Sequence, residues 1–163
     1  MNDPAPAFAH SHPGFNYRVA GVCLHAGHVL LHRAEDDDFW ALPGGRPEFG
    51  EPSDAALVRE MREEIEVEVT IERFLWLLEN FYEYRGQQKH ELCCYYVMAL
   101  PPGSPLLDVS REFSGYEPTV RLIYRWFPLA ALDAVTLYPT FLKTGLRALP
   151  AHPARVVQVD EKD

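Results

Sequence analysis

The segment from residue 44 to residue 67 constrains the fold of this 163-residue chain more than any other part of it. It begins with the glycine pair Gly44-Gly45 after a short apolar run, and it continues into a stretch with helical spacing over Ser53–Ile65. Paired glycines permit positive φ angles and a close approach of the backbone to other groups. Ser53 is a suitable N-cap residue for the helix. The segment is therefore predicted to form a strand, a glycine-rich loop and a helix.

The predicted helix lies in a region with a high density of carboxylates. Six glutamates and one aspartate fall between Glu48 and Glu66. At about 100° of rotation per residue, one apolar stripe is expected, comprising Ala55, Val58, Met61 and Ile65. Roughly the opposite face would then carry three carboxylates at mutually repelling spacings, namely Glu60, Glu63 and Glu64. Such a face is either solvated or the site of a divalent cation such as Mg²⁺, which takes oxygen ligands.

The rest of the chain reads mainly as strands, followed by short helices. Strands are predicted for residues 17–25 and 28–33, for two stretches within 67–84, and for 91–100 and 119–127, with a turn at 86–88. A long loop rich in proline and glycine is predicted for residues 101–118, and helices are predicted for 129–134 and 141–149. This order favours a mixed α/β (α+β) sheet covered by helices over a regular βαβ array.

The length and the termini indicate one domain. A chain of 163 residues accommodates one domain and leaves little room for two. We assign residues 1–16 to a flexible arm, 17–150 to the domain and 151–163 to a tail. No apolar run approaches the roughly 20 residues of a membrane span, and the first residues lack the features of a signal peptide.

Charge and cysteine usage exclude further classes of protein. The chain has 15 basic and 24 acidic residues and a net charge of −9, which disfavours binding to nucleic acid. The three cysteines, Cys23, Cys93 and Cys94, are an odd number, and the last two are neighbours in the sequence. A disulfide framework is therefore not expected, and a reducing cytoplasm fits better.

The acidic segment resembles a known motif. Residues 45–67, GRPEFGEPSDAALVREMREEIEV, are similar to the Nudix box, GX5EX7REUXEEXGU with U an aliphatic residue. One position departs from the box, because its second glycine is Glu66 here. That glycine closes the helix, where a left-handed backbone is common, so a glutamate at the position costs roughly 1 kcal/mol. The run FWALPGG before the box and Arg125-Trp126-Phe127-Pro128-Leu129 after it also resemble Nudix sequences.

The resemblance implies a fold, an activity and a cofactor. The fold would be an α/β/α sandwich with a mixed central sheet. The activity would be hydrolysis of a pyrophosphate bond in a nucleoside diphosphate linked to another moiety, assisted by one to three Mg²⁺ or Mn²⁺ ions. The partner would be a small nucleotide rather than nucleic acid or a membrane. Whether the protein forms a homodimer is left open.

The resemblance also implies roles for individual residues. Glu60 and Glu64 would be the core metal ligands, Glu63 would be a third ligand or the catalytic base, and the Gly44 carbonyl would complete the shell. Arg59 would support catalysis by holding the box glutamates, and Gly45 and Glu51 would be structural. Many members of the family add a glutamate from a later loop, for which Glu112 and Glu117 are the candidates. We favour Glu117, because it borders a strand and precedes Pro118.

Substrate contacts are less constrained by the motif. The candidates for phosphate contact or for lining the same cleft are Arg18, Arg33 and Arg46, and those for stacking on a base include Trp40 and Tyr84. One of His90 and Glu91 should face the cleft, and His32 is expected on a hairpin surface. Strand aromatics are also common in cores, so the stacking assignments compete with a structural interpretation.

The substrate itself is predicted only by class. The proline typical of the ADP-ribose subgroup is replaced by Tyr82, and Tyr84 is a weak match to the tyrosine of the dinucleoside polyphosphate subgroup. We place (deoxy)nucleoside triphosphates or modified nucleotides first, as for the MutT-like enzymes. Dinucleoside polyphosphates and nucleotide sugars or ADP-ribose are the alternatives. Two other classes are a non-catalytic nucleotide-sensing Nudix domain and an isopentenyl diphosphate isomerase. The first usually loses box glutamates that are kept here, and the second has longer chains with a degenerate box.

Overall fold

Two long strands form the centre of the structure. The computed structural model describes residues 13–160, so most of the predicted arm, residues 1–12, lies outside the described residues. The assignment to an arm was wrong for Phe15 and Asn16, because both belong to a strand, Phe15–Val22, that pairs with another strand. Strands β5 (Thr70–Tyr84) and β6 (Gln87–Ala99) pair as an antiparallel hairpin. Arg85 and Gly86 close it with φ angles of 50° and 75°, the left-handed pair of a two-residue hairpin turn. The prediction of two strands within 67–84 was wrong, because β5 continues through two register shifts.

The hairpin belongs to a mixed five-stranded sheet. Its order is β4-β1-β6-β5-β9, with β1 at Phe15–Val22, β4 at Gly44–Gly45 and β9 at Ala154–Asp160. Strand β1 runs parallel to β6, and β9 runs parallel to β5. The assignment of residues 151–163 to a tail was therefore wrong for β9. That strand is held by pairing with a distant segment, from Trp76↔Ala154 to Tyr82↔Asp160.

A second sheet is antiparallel and four-stranded. It contains β2 (Leu24–His25), β3 (His28–Ala34), β7 (Phe113–Glu117) and β8 (Val120–Pro128), in the order β2-β3-β8-β7. The predicted loop at 101–118 thus contains a strand, and also a 3-10 helix at Pro105–Leu107. Pairing with β8, from Phe113↔Tyr124 to Glu117↔Val120, fixes the backbone of the second half of this segment.

Helix α1 begins and ends where the sequence predicts, at Ser53–Ile65, but it is rotated from the predicted orientation. The N-cap position is Pro52 rather than Ser53, whose hydroxyl lies 2.7 Å from the Tyr96 hydroxyl. The buried residues are Ala56, Leu57, Met61 and Glu64, whereas Ala55 is exposed. The helix therefore turns Glu64 inward, and the prediction that all three glutamates face away from the core was wrong for this one.

The helices cover both sides of the sheets. Buried residues divide into two clusters, and neighbouring residues in a strand alternate between them, as Val19 and Ala20 do. One cluster contains α1, and the other contains a 3-10 helix at Leu129–Ala134 and the short helix α2 at Leu142–Gly145. This arrangement confirms the predicted mixed α/β sandwich. None of the helices within residues 13–160 is long and apolar enough to span a membrane.

Candidate active site

Glu64 is the buried carboxylate of the site. Its side chain is 2% exposed, and one of its oxygens, Oε2, accepts a hydrogen bond from the Tyr124 hydroxyl. The other oxygen, Oε1, has no hydrogen-bond partner among the described residues. Burial raises the pKa of Glu64 to about 8, and the neighbouring carboxylates of Glu117 and Glu60 act in the same direction. A buried carboxylate oxygen without a partner is a suitable ligand for a cation.

His32 completes the surroundings of Glu64. Its Nδ1 atom lies 4.0 Å from Glu64 Oε2, and its Nε2 atom lies 3.4 Å from the Arg18 guanidinium. Burial, and secondarily the charge of Arg18, lowers the pKa of His32 to about 3, so the ring is neutral and forms no ion pair with Glu64. The expectation that His32 lies on a hairpin surface was wrong, because its side chain on β3 is buried against Tyr124 and Glu64.

Arg59 holds the more exposed carboxylates together. Its guanidinium donates to both oxygens of Glu51, at 2.8 Å and 3.0 Å, and to Glu63 at 3.0 Å and Glu60 at 3.3 Å. It also donates to the carbonyl of Arg46 at 3.0 Å. These hydrogen bonds, above all those with Glu51, raise the pKa of Arg59 and lower the pKa of Glu51. One arginine thus ties the glycine-rich loop to the helix.

The glycine pair allows this loop to approach the helix. A Cβ atom at Gly45 would lie 2.1 Å from the carboxyl carbon of Glu60, and one at Gly44 would lie 1.9 Å from the Val19 carbonyl oxygen. The backbone N–H of Arg46 donates to Glu60 at 3.2 Å. Burial raises the pKa of Glu60. Side chains are therefore excluded at both glycines, and the loop backbone lies directly beside Glu60.

Strand β7 brings a further glutamate to the helix. A Cβ atom at Gly115 would lie 2.5 Å from the ring of Tyr124 and 3.2 Å from the backbone oxygen of Glu64, so glycine allows β7 to lie close to α1. The strand ends at Glu117, and a cavity of about 380 Å³ is lined by Glu60, Glu63, Glu64, Tyr116, Glu117 and Pro118. The other candidate, Glu112, is paired with Arg125, with Nε–Oε2 at 2.9 Å.

The carboxylates fit a divalent cation but do not yet enclose one. Among residues 13–160, no three His, Cys, Asp or Glu side chains converge closely enough to form a ready metal site. Glu60 and Glu63 are turned toward Arg59, whereas Glu64 presents its unpartnered oxygen. Mg²⁺ is commonly held by one or two carboxylates, with waters and substrate phosphates as its other ligands. The donor set of this cavity is compatible with such partial coordination.

A larger cleft adjoins the carboxylate cavity. It measures about 1050 Å³, it is lined by residues of both sheets, and Glu117 lines both cavities. Of the predicted substrate contacts, Arg18, Arg33 and Tyr84 line the cleft. Arg18 donates to the Leu42 carbonyl at 3.1 Å, and Tyr84 donates to Asp37 at 3.0 Å. Glu91 lines the cleft, and His90 instead stacks on Phe81.

Two predicted substrate contacts lie elsewhere. Trp40 packs in the core against Phe127 at a centroid distance of 4.8 Å, with the guanidiniums of Arg33 and Arg125 over its ring. Arg46 uses its backbone within the site, and its side chain is exposed outside the two cavities. The geometry therefore gives no support to base stacking by Trp40 or to phosphate contact by Arg46.

Sequence patterns did not reveal the groups that surround Glu64. Tyr124 and His32 lie on strands of the second sheet, and Gly115 lies in the segment predicted as a loop. The box points to candidate ligands on the helix, but nothing local in the sequence connects them to β3, β7 and β8. A glycine beside an aromatic-rich stretch was the one available signal, since it often marks close backbone approach.

A comparison with protein families decides the relationship suggested by this geometry. The model described as NUDIX domain matches residues 16–148. The chain belongs to the Nudix family. It is thereby an enzyme of the Nudix pyrophosphohydrolase class. The matched range ends before β9, so this edge strand of the Nudix sheet lies beyond the family model.

Solved structures share the Nudix fold at low sequence identity. An ADP-ribose pyrophosphatase from Streptococcus suis is 18% identical, with a TM-score of 0.57 and coverage of 88% of this chain and 98% of that one. A MutT protein from Methanosarcina mazei is 18% identical, with a TM-score of 0.58 and coverage of 82% and 91%. A UDP-X diphosphatase is 18% identical, with a TM-score of 0.58; 85% of this chain aligns, over 63% of that structure's length. A search among curated proteins finds no match. At these identities the structures show the fold alone.

Proposed function

We propose that this protein hydrolyses a pyrophosphate bond in a nucleoside diphosphate linked to another moiety, with Mg²⁺ or Mn²⁺ as cofactor. The observation that carries the proposal is the unpartnered oxygen of Glu64 in a cavity that it shares with Glu60, Glu63 and Glu117. Without a cation, a substrate phosphate would meet only like charge there. With one, the same carboxylates can bind the substrate through the metal.

Glu60 and Glu64 would hold the first ion, with Glu63 and the Gly44 carbonyl as further ligands. The bound metal polarises phosphate oxygens and lowers the pKa of a coordinated water. Arg59 acts as a positioning residue, because it fixes Glu51, Glu60 and Glu63 relative to the loop. Glu117, or else Glu63, would take the proton from the attacking water, since both line the cavity.

The cleft beside the carboxylate cavity bears on the choice among substrate classes. From sequence, (deoxy)nucleoside triphosphates rank first, with dinucleoside polyphosphates and nucleotide sugars as alternatives. A cleft of about 1050 Å³ lies at the upper end of ordinary ligand sites and has room for a further group besides a nucleoside. This volume favours dinucleoside polyphosphates and nucleotide sugars, in which such a group is linked to the phosphates, as a second candidate class. The net charge of −9 argues against nucleic acid as the substrate.

A panel of substrates tests this proposal. The purified protein is incubated with Mg²⁺ and nucleoside triphosphates, dinucleoside polyphosphates or nucleotide sugars in ¹⁸O-labelled water, and products are identified by mass spectrometry. We expect a nucleoside monophosphate from at least one class, with the label on one of the two new phosphate ends. Binding of nucleotides without any turnover across the panel would instead favour the sensing domain.

A further inference from the structure

Four polar side chains form one row across the five-stranded sheet, on the side of the cleft. The strand register places Asn16 of β1 opposite Glu91 of β6, Glu91 opposite Asn80 of β5, and Asn80 opposite Gln158 of β9. The first three line the cleft. Asn80 is only 4% exposed and Glu91 only 7%. We call Asn16, Glu91, Asn80 and Gln158 the polar row.

The polar row lies between an apolar and a polar part of this sheet face, because the next positions on one side of it are Tyr82, Lys89 and Asp160. One step along the strands in the other direction, the same face carries Cys93, Leu78 and Val156, which pack in the hydrophobic core. A buried sheet face normally consists of such residues. Polar side chains there cost free energy unless hydrogen bonds replace those lost to water. Three adjacent strands nevertheless carry such side chains at matching positions on the wall of the cleft, where a bound ligand would supply the hydrogen bonds that water no longer makes.

The unpartnered atoms near the polar row are all hydrogen-bond acceptors. Glu91 Oε2 accepts from Asn16 Nδ2 at 2.6 Å and from the Tyr82 hydroxyl at 3.3 Å. These bonds leave Asn16 Oδ1 without a partner, and Asn80 Oδ1 is also without one among the described residues. Asp160 is similar, because its Oδ1 accepts from the Thr140 hydroxyl at 2.6 Å while its Oδ2 has no partner.

This set of atoms selects the chemistry of its ligand. Acceptor oxygens and two carboxylates, Glu91 and Asp160, disfavour a phosphate, which offers acceptors and negative charge. They favour a neutral group that carries several O–H or N–H donors. Adjacent strands lie about 4.8 Å apart, so the acceptors of Asn16 and Asn80 are spread over roughly 10 Å. Hydroxyls distributed around a sugar match that spread better than the adjacent donors of one nucleobase edge.

The position of the polar row suits a substrate that carries a further group attached to its phosphates. Glu117 lines both the cleft and the carboxylate cavity, so the two spaces are adjacent. Arg18 lies on the same strand and face as Asn16, one step along, and contacts His32 beside Glu64. Phosphates can therefore lie at the Glu64 and Arg18 end of the cleft while the group attached to them reaches the row. The unpartnered oxygens are enclosed, so each would reach a ligand by rotation of its terminal amide or carboxyl.

We propose that the polar row binds the hydroxyl-bearing sugar of a nucleoside-diphosphate sugar and makes this class the preferred substrate. The proposal rests on the proposed function and names its substrate class. Asn80 and Asn16 are specificity-determining residues, because a site built to pair hydroxyls strongly disfavours a substrate that leaves its acceptors unpaired.

Two matched substrate pairs test the proposal. UDP-glucose is compared with UTP, and ADP-ribose with ATP, so that each pair shares its nucleoside and differs in the group beyond it. The wild type should show at least a tenfold higher kcat/KM for the sugar member of one pair. Asn80→Ala should reduce that ratio at least tenfold, and Asn16→Ala should reduce it in the same direction. Gln88→Ala, at an exposed position of the same hairpin, is the control and should leave the ratio unchanged.

The outcomes separate this proposal from the proposed function. Metal-dependent hydrolysis with equal or better kcat/KM for the triphosphates, or with a ratio that neither asparagine variant changes, overturns the sugar proposal and leaves the hydrolase intact. If no substrate is hydrolysed, the proposed function fails. Calorimetric titration of UDP-glucose and UTP into the wild type and into the folded Asn80 and Asn16 variants then decides the sugar proposal. The ratio of the two affinities takes the place of the ratio of kcat/KM values. Circular dichroism establishes which variants are folded.

Discussion

A carboxylate buried as deeply as Glu64 is stable either when it is protonated or when it lies beside a cation. The Glu64 pKa of about 8 matches the first condition in the metal-free protein at neutral pH. Tyr124 fixes one oxygen, and the other has no partner among the described residues, so it is left for a cation. The box predicts Glu64 as a ligand, but its burial depends on Tyr124, which lies 60 residues later on β8. No local pattern in the sequence connects two residues so far apart.

Removal of the Glu64 charge should separate function from stability. Glu64→Gln should lower kcat by about a hundredfold or more, which corresponds to about 3 kcal/mol of barrier. The metal-free protein should melt at an unchanged or higher temperature, because burial and the neighbouring carboxylates already disfavour the charged form of Glu64, and an amide carries no charge. Steady-state kinetics and thermal melts measure both effects. Glu72→Gln, an exposed glutamate on β5, is the control, and a Glu64→Gln variant that melts much lower without metal would assign the carboxylate a structural role.

The Tyr124 hydroxyl should matter for metal affinity. Tyr124→Phe removes the donor that orients Glu64, and groups that orient a metal ligand typically contribute 10–100-fold in affinity. We expect Mn²⁺ to bind at least about tenfold more weakly, as measured by calorimetric titration without substrate. Tyr116→Phe, on a tyrosine that is 72% exposed and also lines the cavity, should bind Mn²⁺ as the wild type does. Equal affinities in all three proteins would show that Tyr124 does not position the ligand.

The two later glutamates should differ in their contribution to turnover. Glu117→Gln should slow hydrolysis strongly, because Glu117 lines the cavity at the end of a paired strand, where a catalytic group is held more rigidly than in a loop. Glu112→Gln should have little effect, since Glu112 is paired with Arg125. Steady-state kinetics compares them. A strong loss of turnover in the Glu112 variant instead would reverse the assignment. Losses of turnover below about threefold in both variants would leave Glu63 as the base.

At the scale of elements, the bounds of α1 are predictable because its signals are local. Its periodicity and the box mark both ends, whereas the strands missed from sequence depend on distant partners. Strand β7 contains Gly115, which disfavours a strand in isolation, and it forms by pairing with β8. Strand β9 follows a proline-rich stretch, and its backbone is held by pairing with β5, which is distant in the sequence. Which face of α1 turns inward is likewise determined by the residues of the rest of the fold that pack against the helix.

The end of α1 carries a measurable strain. Glu66 adopts φ 56° and ψ 35°, the left-handed conformation for which the family box has glycine. Glu66→Gly should raise the free energy of unfolding by about 1 kcal/mol and the Tm by about 2–4 °C. Glu66→Ala keeps the Cβ atom and should give no such gain. Thermal melts of the three proteins test this, and an equal gain from alanine would place the cause in the lost charge instead.

At the scale of the whole molecule, the site lies where the two sheets and α1 meet. The helix supplies Glu60, Glu63 and Glu64, β7 supplies Glu117, and the larger sheet supplies the polar row. Sequence could predict the family and the layered fold and could name the helix glutamates as candidate ligands, since a single motif carries all three. It could not predict the polar row, because four strands from both ends of the chain must align before those residues meet.

The dependence of hydrolysis on a divalent cation tests the account most directly. The protein is stripped with EDTA, assayed on its best substrate, and assayed again after Mg²⁺ or Mn²⁺ is restored at millimolar concentration. The account predicts that hydrolysis vanishes in EDTA and returns with either ion, because the carboxylates of the cavity would otherwise repel the phosphates. Full activity in the presence of EDTA would contradict it.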